Sequence, residues 1–306
     1  MIKPYINKLI ENLPDSIKNV KSPLVLDLVL DGGLFNGSYL VGALYFIKEM
    51  EMRGYVKVQR ISGSSIGSII GFLYFIDDLD DASYLYEMLL KDFKKTHNLT
   101  FIKTLKEKLQ HKIPQDVCNS VNNKFYITFT NVQKRKKIVK KTYRNVDEII
   151  VSIIKSCFIP FLIDGNIVYK SSYIDGLNPY IFKTNKKGKK VLFMDLSTTD
   201  KLFGIINIKN EKTNLHRILS GMLEIHTFFI KGVSTNMCSY VNDWNVFQYM
   251  YMYFRYLIEK LAIHSIHFLH YFHKNVLQKI KKNDFFDLLS TASKNLLILF
   301  MKKYCI

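Results

Sequence analysis

Two consecutive segments of the chain share one order: a short apolar strand, a glycine-containing turn and a helix. In the first, LVLDLVL at 24–30 runs into DGGLFNG at 31–37, and SYLVGALYFIKEMEMRG follows with apolar residues at helical spacing and Gly54 as a stop. In the second, VKVQRIS at 56–62 runs into GSSIG at 63–67 and then SIIGFLYFID. Such units form parallel sheets with right-handed crossovers, whose loops lie at one carboxyl edge. The pattern predicts an α/β fold in which Ser65 lies near the 31–37 loop.

The second turn has the form G-x-S-x-G, with Ser65 between Gly63 and Gly67. Between a strand and a helix, this turn lifts a serine hydroxyl out of the backbone, and its glycines stand where a Cβ would collide. Three fixed positions also match by chance in about one chain in ten of this length, so the pentapeptide alone is weak evidence. Phosphate binding is the competing interpretation. It is disfavoured because the chain lacks G-x-x-x-x-G-K-[ST] and because Leu34 interrupts the G-x-G-x-x-G spacing.

A serine that attacks an ester carbonyl creates an oxyanion. Backbone N–H groups at a glycine turn and a helix N-terminus stabilise such a charge, each by about 3 kcal/mol. The 31–37 loop is the candidate for this role. The serine also needs a base. The other informative stretch is FIPFLIDGNIVYKSSYIDGLNPY at 158–180, in which a turn at Asp164 and Gly165 and a short strand precede Asp175 and Gly176.

The three segments LDGGLFNGSYLVGAL, ISGSSIGSIIG and FIPFLIDGNIVYKSSYIDGLNPY resemble, in order and spacing, the motifs of the patatin-like phospholipase family. Those motifs are a D-G-G-G-x-R-G-type oxyanion loop, a G-x-S-x-G turn and a late D-G-[GA] followed by N-P. The resemblance covers roughly 22–200. It implies that Ser65 is the nucleophile and Asp175 the base of a Ser-Asp dyad without a catalytic histidine. It further implies an oxyanion hole at Gly32, Gly33 and Leu34, and motif glycines at Gly37, Gly63, Gly67 and Gly176.

The resemblance also implies a fold, a reaction and a division of the chain. The expected fold is α/β and three-layered, with a central, largely parallel sheet between helices and a C-terminal helical extension. We expect an N-terminal segment at 1–21, a catalytic core at 22–200 and a helical region at 201–306. The expected reaction is hydrolysis of fatty-acyl esters in phospholipids or other acyl lipids, with no metal and no organic cofactor.

Three positions depart from the family pattern. Leu34 replaces the third glycine of the oxyanion loop, Asn36 replaces its usual arginine, and Leu177 stands where Gly or Ala commonly follows Asp-Gly. A positive φ at Leu34 would cost about 1–2 kcal/mol. A catalytically weak or inactive membrane-associated homologue on the same fold is therefore the alternative.

A conventional α/β-hydrolase would also use G-x-S-x-G, but only about one strand and one helix precede the turn here, too few for that fold. The histidines lie mostly in the tail, where His264, His267, His270 and His273 recur every third residue. This spacing drifts around a helix, and no carboxylate or cysteine accompanies it at ligand spacing, so we expect a polar flank and no metal site.

The formal net charge is +18, from 44 Lys and Arg against 26 Asp and Glu, which predicts an acidic partner surface. An anionic membrane is favoured over nucleic acid because no nucleic-acid-binding motif is recognisable.

The four cysteines are scattered, and the first residues lack the apolar core of a signal peptide. No uncharged apolar run reaches the roughly 18–20 residues of a membrane span. We therefore expect an intracellular, cytoplasmic protein with peripheral membrane association.

From about 201 onward the pattern is helical. In 244–273, apolar residues follow three-or-four spacing: Phe247, Met250, Phe254, Leu257, Leu261, Ile266 and Leu269. The favoured interpretation is a helix whose stripe packs on the sheet. The alternative is an interfacial surface, suggested by Trp244 and four nearby tyrosines. Two basic runs, KRKK at 134–137 and KKGKK at 186–190, are of a kind that usually forms solvated turns, and the first is predicted to be a hairpin tip. This tip is a candidate contact with anionic lipid or a candidate nuclear address, and the sequence does not distinguish these two roles.

Overall fold

The structure is a computed structural model that describes residues 2–19, 21–109, 112–114, 116–184, 188–209, 211–272 and 299. Within these ranges the strands are β1 (Leu24–Leu30), β2 (Val56–Ser64), β3 (Phe125–Asn131), β4 (Lys136–Lys140), β5 (Tyr173–Asp175), β6 (Lys189–Met194) and β7 (Cys238–Tyr240). The α-helices are α1 (Lys3–Glu11), α2 (Asp15–Lys18), α3 (Gly37–Met52), α4 (Ile66–Phe75), α5 (Asp81–Thr96), α6 (Leu105–Leu109), α7 (Val117–Val121), α8 (Val146–Ser156), α9 (Thr199–Leu202), α10 (Leu215–Lys231) and α11 (Val246–Phe272).

The strands form one sheet in the order β4-β3-β2-β1-β6-β7, and β5 pairs with β3. The pairs β1–β2, β1–β6 and β2–β3 are parallel, whereas β4, β5 and β7 pair antiparallel. Helices flank the sheet, so the predicted three-layer α/β fold with a largely parallel sheet is confirmed. The two β-loop-α units predicted from the sequence are β1 with α3 and β2 with α4.

The central strand β1 is apolar on both sides because layers cover both faces of the sheet. Leu26, Leu28 and Leu30 are fully buried in the main core, which contains α3, α4 and α10. Val29 lies on the opposite face, in a smaller cluster with Phe193. Since a parallel strand alternates its side chains between two buried faces, the run LVLDLVL shows little polar alternation.

The region after residue 200 contributes to these layers. Strand β7 pairs antiparallel with β6, and α10 packs closely on α3. Glycines allow that approach: a Cβ on Gly42 would lie 1.8 Å from the Ile218 carbonyl oxygen, and one on Gly221 would lie 1.9 Å from the Tyr39 oxygen. The domain boundary at 200 stays a prediction. Helix α10 and strand β7, which follow it, pack together with elements that precede it.

The predicted hairpin is present, since β3 and β4 pair antiparallel on either side of 132–135. Lys134, Arg135 and Lys136 are exposed at its tip. The second basic run falls partly outside the described residues. In the 158–180 stretch, Gly165 forms the predicted turn with a φ of 78°, and the short strand is β5.

The predicted packing of the C-terminal stripe is wrong. Helix α11 spans the expected region, but the stripe residues Phe247, Met250, Phe254, Leu257, Leu261 and Leu269 are exposed. The two buried residues of α11 are Glu259 and Ile263. The helix thus turns a partly polar side towards the sheet and most of its apolar residues outward. None of the helices in the described residues is both long and apolar enough to cross a bilayer.

Candidate functional site

Ser65 lies at the sharp turn between β2 and α4, with φ 52° and ψ −129°. A non-glycine residue in this region carries strain of about 1–3 kcal/mol, which the surrounding structure must maintain. The turn is tight: a Cβ on Gly63 would lie 2.6 Å from the Gly67 oxygen, and one on Gly67 would lie 2.5 Å from the Leu30 oxygen. The backbone N–H of Ser65 donates to the Ser156 hydroxyl over 2.9 Å. The two glycines let α4 start directly against the ends of β1 and β2.

Asp175 ends β5 and is buried, with 7% of its surface exposed. Its Oδ1 accepts a hydrogen bond from the Leu177 N–H over 2.8 Å. Burial raises the pKa of Asp175 to about 6, although the Ser65 hydroxyl and the Leu177 N–H stabilise its charged form. The structure therefore brings Asp175 next to Ser65, and the carboxyl is ionised at neutral pH.

Gly176 sits where the segment after β5 crosses β3. A Cβ at this position would lie 2.3 Å from the Thr128 carbonyl oxygen and 2.9 Å from the Ser64 hydroxyl. Only glycine fits there without a shift of the backbone. The next residue, Leu177, has a φ of 55° and is 38% exposed.

The loop after β1 lies on the other side of Ser65. A Cβ on Gly32 would lie 3.2 Å from the Ser65 Cβ and 3.4 Å from the Leu177 oxygen. Across the described residues, no hydrogen bond uses the backbone N–H groups of Gly32, Gly33 or Leu34. Leu34 has a φ of 46° and opens a short 3-10 turn that leads into α3. At the start of α3, a Cβ on Gly37 would lie 2.2 Å from the Ile66 side chain.

Asn36 replaces the usual arginine of the loop and is fully buried. Its amide nitrogen donates to the carbonyl oxygens of Leu196, over 3.2 Å, and Lys201, over 2.8 Å. Its oxygen accepts from Nη1 of Arg217, on α10, over 2.5 Å. Asn36 therefore connects the loop to the segment after β6, to α9 and to α10, and a buried arginine from α10 supplies the positive charge beside it.

Sequence reasoning missed a polar cluster that joins the site to α11. Arg255 donates to Asp31 over 2.7 Å, to Asp195 over 3.2 Å and to the Asn178 side chain over 2.9 Å. Asp31 begins the 31–37 loop and Asn178 follows Asp175 in the third motif. One guanidinium thus connects two of the three motifs. The signal in the sequence was the presence of two charged residues, Arg255 and Glu259, inside an apolar run.

Glu259 completes this cluster from the next turn of α11. It is 2% exposed, accepts from the Asn178 amide over 2.7 Å and pairs with Lys137 of β4 over 2.8 Å. Burial lowers the pKa of Lys137, whereas Glu259 opposes that shift. We refer to Arg255, Glu259 and their partners Asp31, Asn178, Asp195 and Lys137 as the α11 clamp.

A narrow apolar cleft opens beside the turn. It lies between α3, α4 and α5, and its lining includes Leu34, Gly37 and Ile66, which are neighbours of Ser65 in the loop and the helix. The remaining lining residues are apolar apart from Ser38 and the Tyr86 hydroxyl: Val41, Ile69, Ile70, Ala82, Leu85, Leu89, Phe101, Ile102 and Leu105. A hydrocarbon chain is the ligand chemistry that such a lining suits.

The histidine row contributes no ligand set in the structure. His264 contacts the Lys260 carbonyl oxygen and His267 contacts Arg135, whereas His273 lies outside the described residues. Among the residues that the structure describes, no group of three or more His, Cys, Asp or Glu side chains could hold a metal ion.

Comparison with known proteins agrees with the motifs and the fold. The family model described as patatin-like phospholipase matches residues 28–179, which contain Ser65, Asp175 and the 31–37 loop. The omega-hydroxyceramide transacylase of Mus musculus is 24% identical over 137 residues, which are 42% of this chain and 23% of that protein. The chain therefore covers less than a quarter of the length of this curated relative. The motifs, the three-layer sheet and the match across the site all agree: the chain belongs to the patatin-like phospholipase family.

Proposed function

We propose that the protein is a serine lipid acyl hydrolase in which Ser65 is the nucleophile and Asp175 is the base. The observation that carries this proposal is the strained turn at Ser65, which holds the hydroxyl at the N-terminus of α4 beside the buried Asp175 carboxyl. A serine is a weak nucleophile until an adjacent base accepts its proton.

In the first half of the reaction, Asp175 accepts the Ser65 proton while the serine oxygen bonds to the acyl carbon of the ester. The carbonyl electrons move onto oxygen and form the tetrahedral oxyanion. When the oxyanion collapses, the bond to the alcohol oxygen breaks, and that oxygen takes the proton from Asp175. The acyl group remains on Ser65. In the second half, water gives its proton to Asp175, attacks the acyl carbon and releases the fatty acid, and Ser65 recovers its proton.

The free N–H groups of Gly32, Gly33 and Leu34 support an oxyanion hole in this loop. The positive end of the α4 dipole, at Ile66, adds to the same field. Preorganised donors of this kind contribute about 3 kcal/mol each. The Asp175 carboxyl, with a pKa of about 6, suits a base that must be ionised near neutral pH and still hold a proton in transit.

The apolar lining of the cleft between α3, α4 and α5 supports an acyl ester as the substrate. The free volume of the cleft is about 30 Å³, so its side chains would have to move apart to admit a long acyl chain. Within this class we favour a phospholipid cleaved in phospholipase A-type fashion, because the basic protein suits an anionic headgroup layer. The same charge favours an intracellular protein bound peripherally to an anionic membrane. Nucleic acid is the less favoured partner. This mechanism needs no metal or organic cofactor.

A second candidate is acyl transfer to a lipid alcohol. The similarity to a protein named omega-hydroxyceramide transacylase favours it. The acyl-enzyme on Ser65 would be the same, but a hydroxyl group of an acceptor lipid would replace water. Incubation with a phospholipid donor and a long-chain alcohol acceptor separates the two reactions, because transfer yields a new ester whereas hydrolysis yields free fatty acid.

A fluorophosphonate probe tests the dyad directly, since an activated serine attacks its phosphorus. We expect labelling at Ser65, located by peptide mass spectrometry. Ser65→Ala should abolish both labelling and fatty-acid release from phospholipid vesicles. Asp175→Asn removes the base and nearly preserves the shape of the side chain, so the rate should fall by about 10²- to 10⁴-fold. Thermal unfolding of each variant checks that it is folded.

Two results would contradict this assignment in different ways. If labelling survived Asp175→Asn but disappeared on replacement of His216 or His226, a histidine would be the base. If the folded wild-type protein neither labelled nor hydrolysed any ester, it would be a non-catalytic membrane-associated homologue on the same fold. Leu34→Gly is then the variant to try, because recovery of labelling would locate the defect in the oxyanion loop.

A further inference from the structure

Helix α11 has an inverted pattern of polarity. The side that faces the rest of the protein carries the clamp residues Arg255 and Glu259, with Met252 one turn before them and Ile263 one turn after them. Met252 packs against the Phe193 cluster, and Ile266 packs against Val132 near the hairpin. The helix therefore crosses the sheet from β6 to the β3–β4 hairpin and is held largely by ion pairs and hydrogen bonds.

The opposite side of α11 is largely apolar and is interrupted by the exposed residues His264 and Ser265. We call it the α11 outer face and define it by side chains that are each at least 38% exposed: Val246, Phe247, Tyr249, Met250, Tyr251, Tyr253, Phe254, Tyr256, Leu257, Ile258, Leu261, Phe268, Leu269, Tyr271 and Phe272. Soluble proteins rarely leave so many large apolar side chains exposed on one element unless the surface binds something.

We propose that the α11 outer face, with the basic hairpin tip beside it, lies on the surface of an anionic phospholipid bilayer. The proposal rests on the proposed function, for which it names the surface that contacts the membrane. The tip presents Lys134, Arg135 and Lys136, and Arg135 contacts His267 on α11 over 3.2 Å. Apolar and aromatic residues inserted at the headgroup boundary, with cations beside them, are the two components of interfacial binding.

Charge favours a lipid surface over a second copy of the chain. The acidic residue within α11 is Glu259, which is buried, so the outer face itself carries no acidic side chain. A symmetric dimer through this face would bring together two proteins that each carry a formal charge of +18. An anionic bilayer instead neutralises those charges and accepts the tyrosine rings at its headgroups.

The clamp determines how the helix would lie. Arg255 and Glu259 are paired with Asp31, Asn178 and Lys137, so the inner side of α11 stays on the protein while the outer side enters the headgroup layer. The helix would thus lie in the membrane plane, as amphipathic interfacial helices do. Because Asp31 and Asn178 belong to the motifs around Ser65, membrane contact would hold the reactive edge of the sheet next to the lipid.

Vesicle sedimentation tests the surface separately from the chemistry. All proteins carry Ser65→Ala, so binding does not depend on turnover. The test variant adds Met250→Gln, Phe254→Gln and Leu261→Gln, which lie along the centre of the outer face. The control adds Met52→Gln, Leu223→Gln and Ile230→Gln, exposed apolar residues on α3 and α10. We expect the partition coefficient for phosphatidylserine-containing vesicles to fall about tenfold or more in the test variant alone. Equal binding of both variants would overturn the proposal.

A tryptophan reporter distinguishes the other occupants. Trp244 is the single tryptophan, so Trp244→Phe/Tyr253→Trp places one reporter on the outer face. On the proposal, its emission shifts to the blue when anionic vesicles are added, whereas Trp244→Phe/Leu223→Trp on α10 does not respond. A Tyr253→Trp emission that is already blue-shifted and unchanged by vesicles would overturn the proposal. Sedimentation velocity would then distinguish two explanations. A dimer would show that a second copy of the chain covers the outer face, whereas a monomer would show that another part of the same chain covers it. If the protein with Ser65 intact bound these vesicles but released no fatty acid, the result would contradict the proposed reaction only.

Discussion

Three non-glycine residues with positive φ surround the candidate site. They are Leu34 at 46°, Ser65 at 52° and Leu177 at 55°. Leu34 and Leu177 stand at the positions where the chain departs from the glycines of the family pattern. L-residues avoid this region because Cβ crowds the following carbonyl group. At Leu34 and Leu177 the backbone therefore keeps the positive φ that glycine adopts easily, although the residue is leucine.

Glycine at these two positions should lower stability to different extents. Relief of a left-handed residue gains about 1–2 kcal/mol, the greater freedom of glycine in the unfolded chain costs about 0.5–1 kcal/mol, and full burial of a leucine contributes about 1.5–3 kcal/mol. Leu177 is 38% exposed and loses only part of that burial, so the three effects nearly cancel and Leu177→Gly should change the melting temperature by less than about 3 °C. Leu34 is 8% exposed and loses nearly all of it, so Leu34→Gly should lower the melting temperature by more. A larger decrease for Leu177→Gly than for Leu34→Gly, measured calorimetrically, would contradict this argument.

Asp175 should cost stability where it is ionised. The pKa of the Asp175 carboxyl is about 6 in the folded protein and near 3.9 in the unfolded chain. The protein therefore has its full free energy of unfolding below pH 4, where the carboxyl is protonated, and loses part of it as pH rises through 6. Asn has no charge to bury and keeps an oxygen for the Leu177 N–H. Asp175→Asn should therefore be more stable than wild type at pH 7.5, by roughly 3 kcal/mol, and close to it near pH 4. Urea unfolding at the two pH values measures the difference, and a variant that is less stable at pH 7.5 would refute it.

At the scale of elements, α11 is attached by buried charges more than by apolar contact. Arg255 is the centre of the attachment, since its guanidinium bonds to Asp31, Asp195 and Asn178. Buried carboxylates without a partner are costly, and among the described residues Arg255 is the cation that pairs with both Asp31 and Asp195. The clamp therefore couples the position of α11 to the geometry of the 31–37 loop.

Removal of Arg255 should destabilise the protein strongly. Arg255→Ala leaves two buried carboxylates unpaired, with an expected loss of about 3–5 kcal/mol. Arg255→Lys keeps the charge but loses the three-way geometry, so its loss should be smaller. Lys260→Ala, an exposed position one turn further along α11, is the control and should change stability by less than about 0.5 kcal/mol. Guanidinium unfolding gives all three values. An Arg255→Ala loss as small as that of the control would mean that the clamp does not hold the helix.

At the scale of the whole molecule, the dominant property is the excess of positive charge, +18 at pH 7. Such a charge attracts anionic surfaces over several ångströms, and salt screens this attraction. The α11 outer face is apolar and responds little to salt. Binding to a membrane should thus have one salt-sensitive part and one salt-resistant part.

Vesicle binding should therefore weaken without disappearing as salt increases. Between about 0.1 and about 0.5 M salt, the partition coefficient for phosphatidylserine-containing vesicles should fall about tenfold or more, because the Debye length shortens and each Lys or Arg near the surface contributes about 1 kcal/mol. For neutral vesicles, the partition coefficient should fall less over the same range of salt concentration. Equal binding to neutral and anionic vesicles at both salt concentrations would remove the electrostatic part of the model. Tighter binding to duplex DNA under the same conditions would favour a nucleic-acid partner.

Local patterns in the sequence determined the elements that surround Ser65. The β1–α3 and β2–α4 units, the turn at 63–67 and the hairpin between β3 and β4 were all predicted at close to their observed bounds. These features depend on residues that are near one another in the chain: strand and helix periodicities, and glycines whose Cβ would collide within the same turn. The order of the three motifs then identified the family.

The tertiary structure alone decided which side of α11 faces the protein. A three-or-four spacing shows that a helix has an apolar stripe, but it does not show whether another element covers that stripe. Here the inner side was selected by Arg255 and Glu259, whose partners Asp31, Lys137 and Asn178 lie between 77 and 224 residues away in the chain. Pairing a buried carboxylate that already exists in the core outweighs the burial of further apolar surface, because an unpaired buried charge costs more than an exposed leucine or phenylalanine. That balance depends on contacts between distant segments, which no local pattern contains.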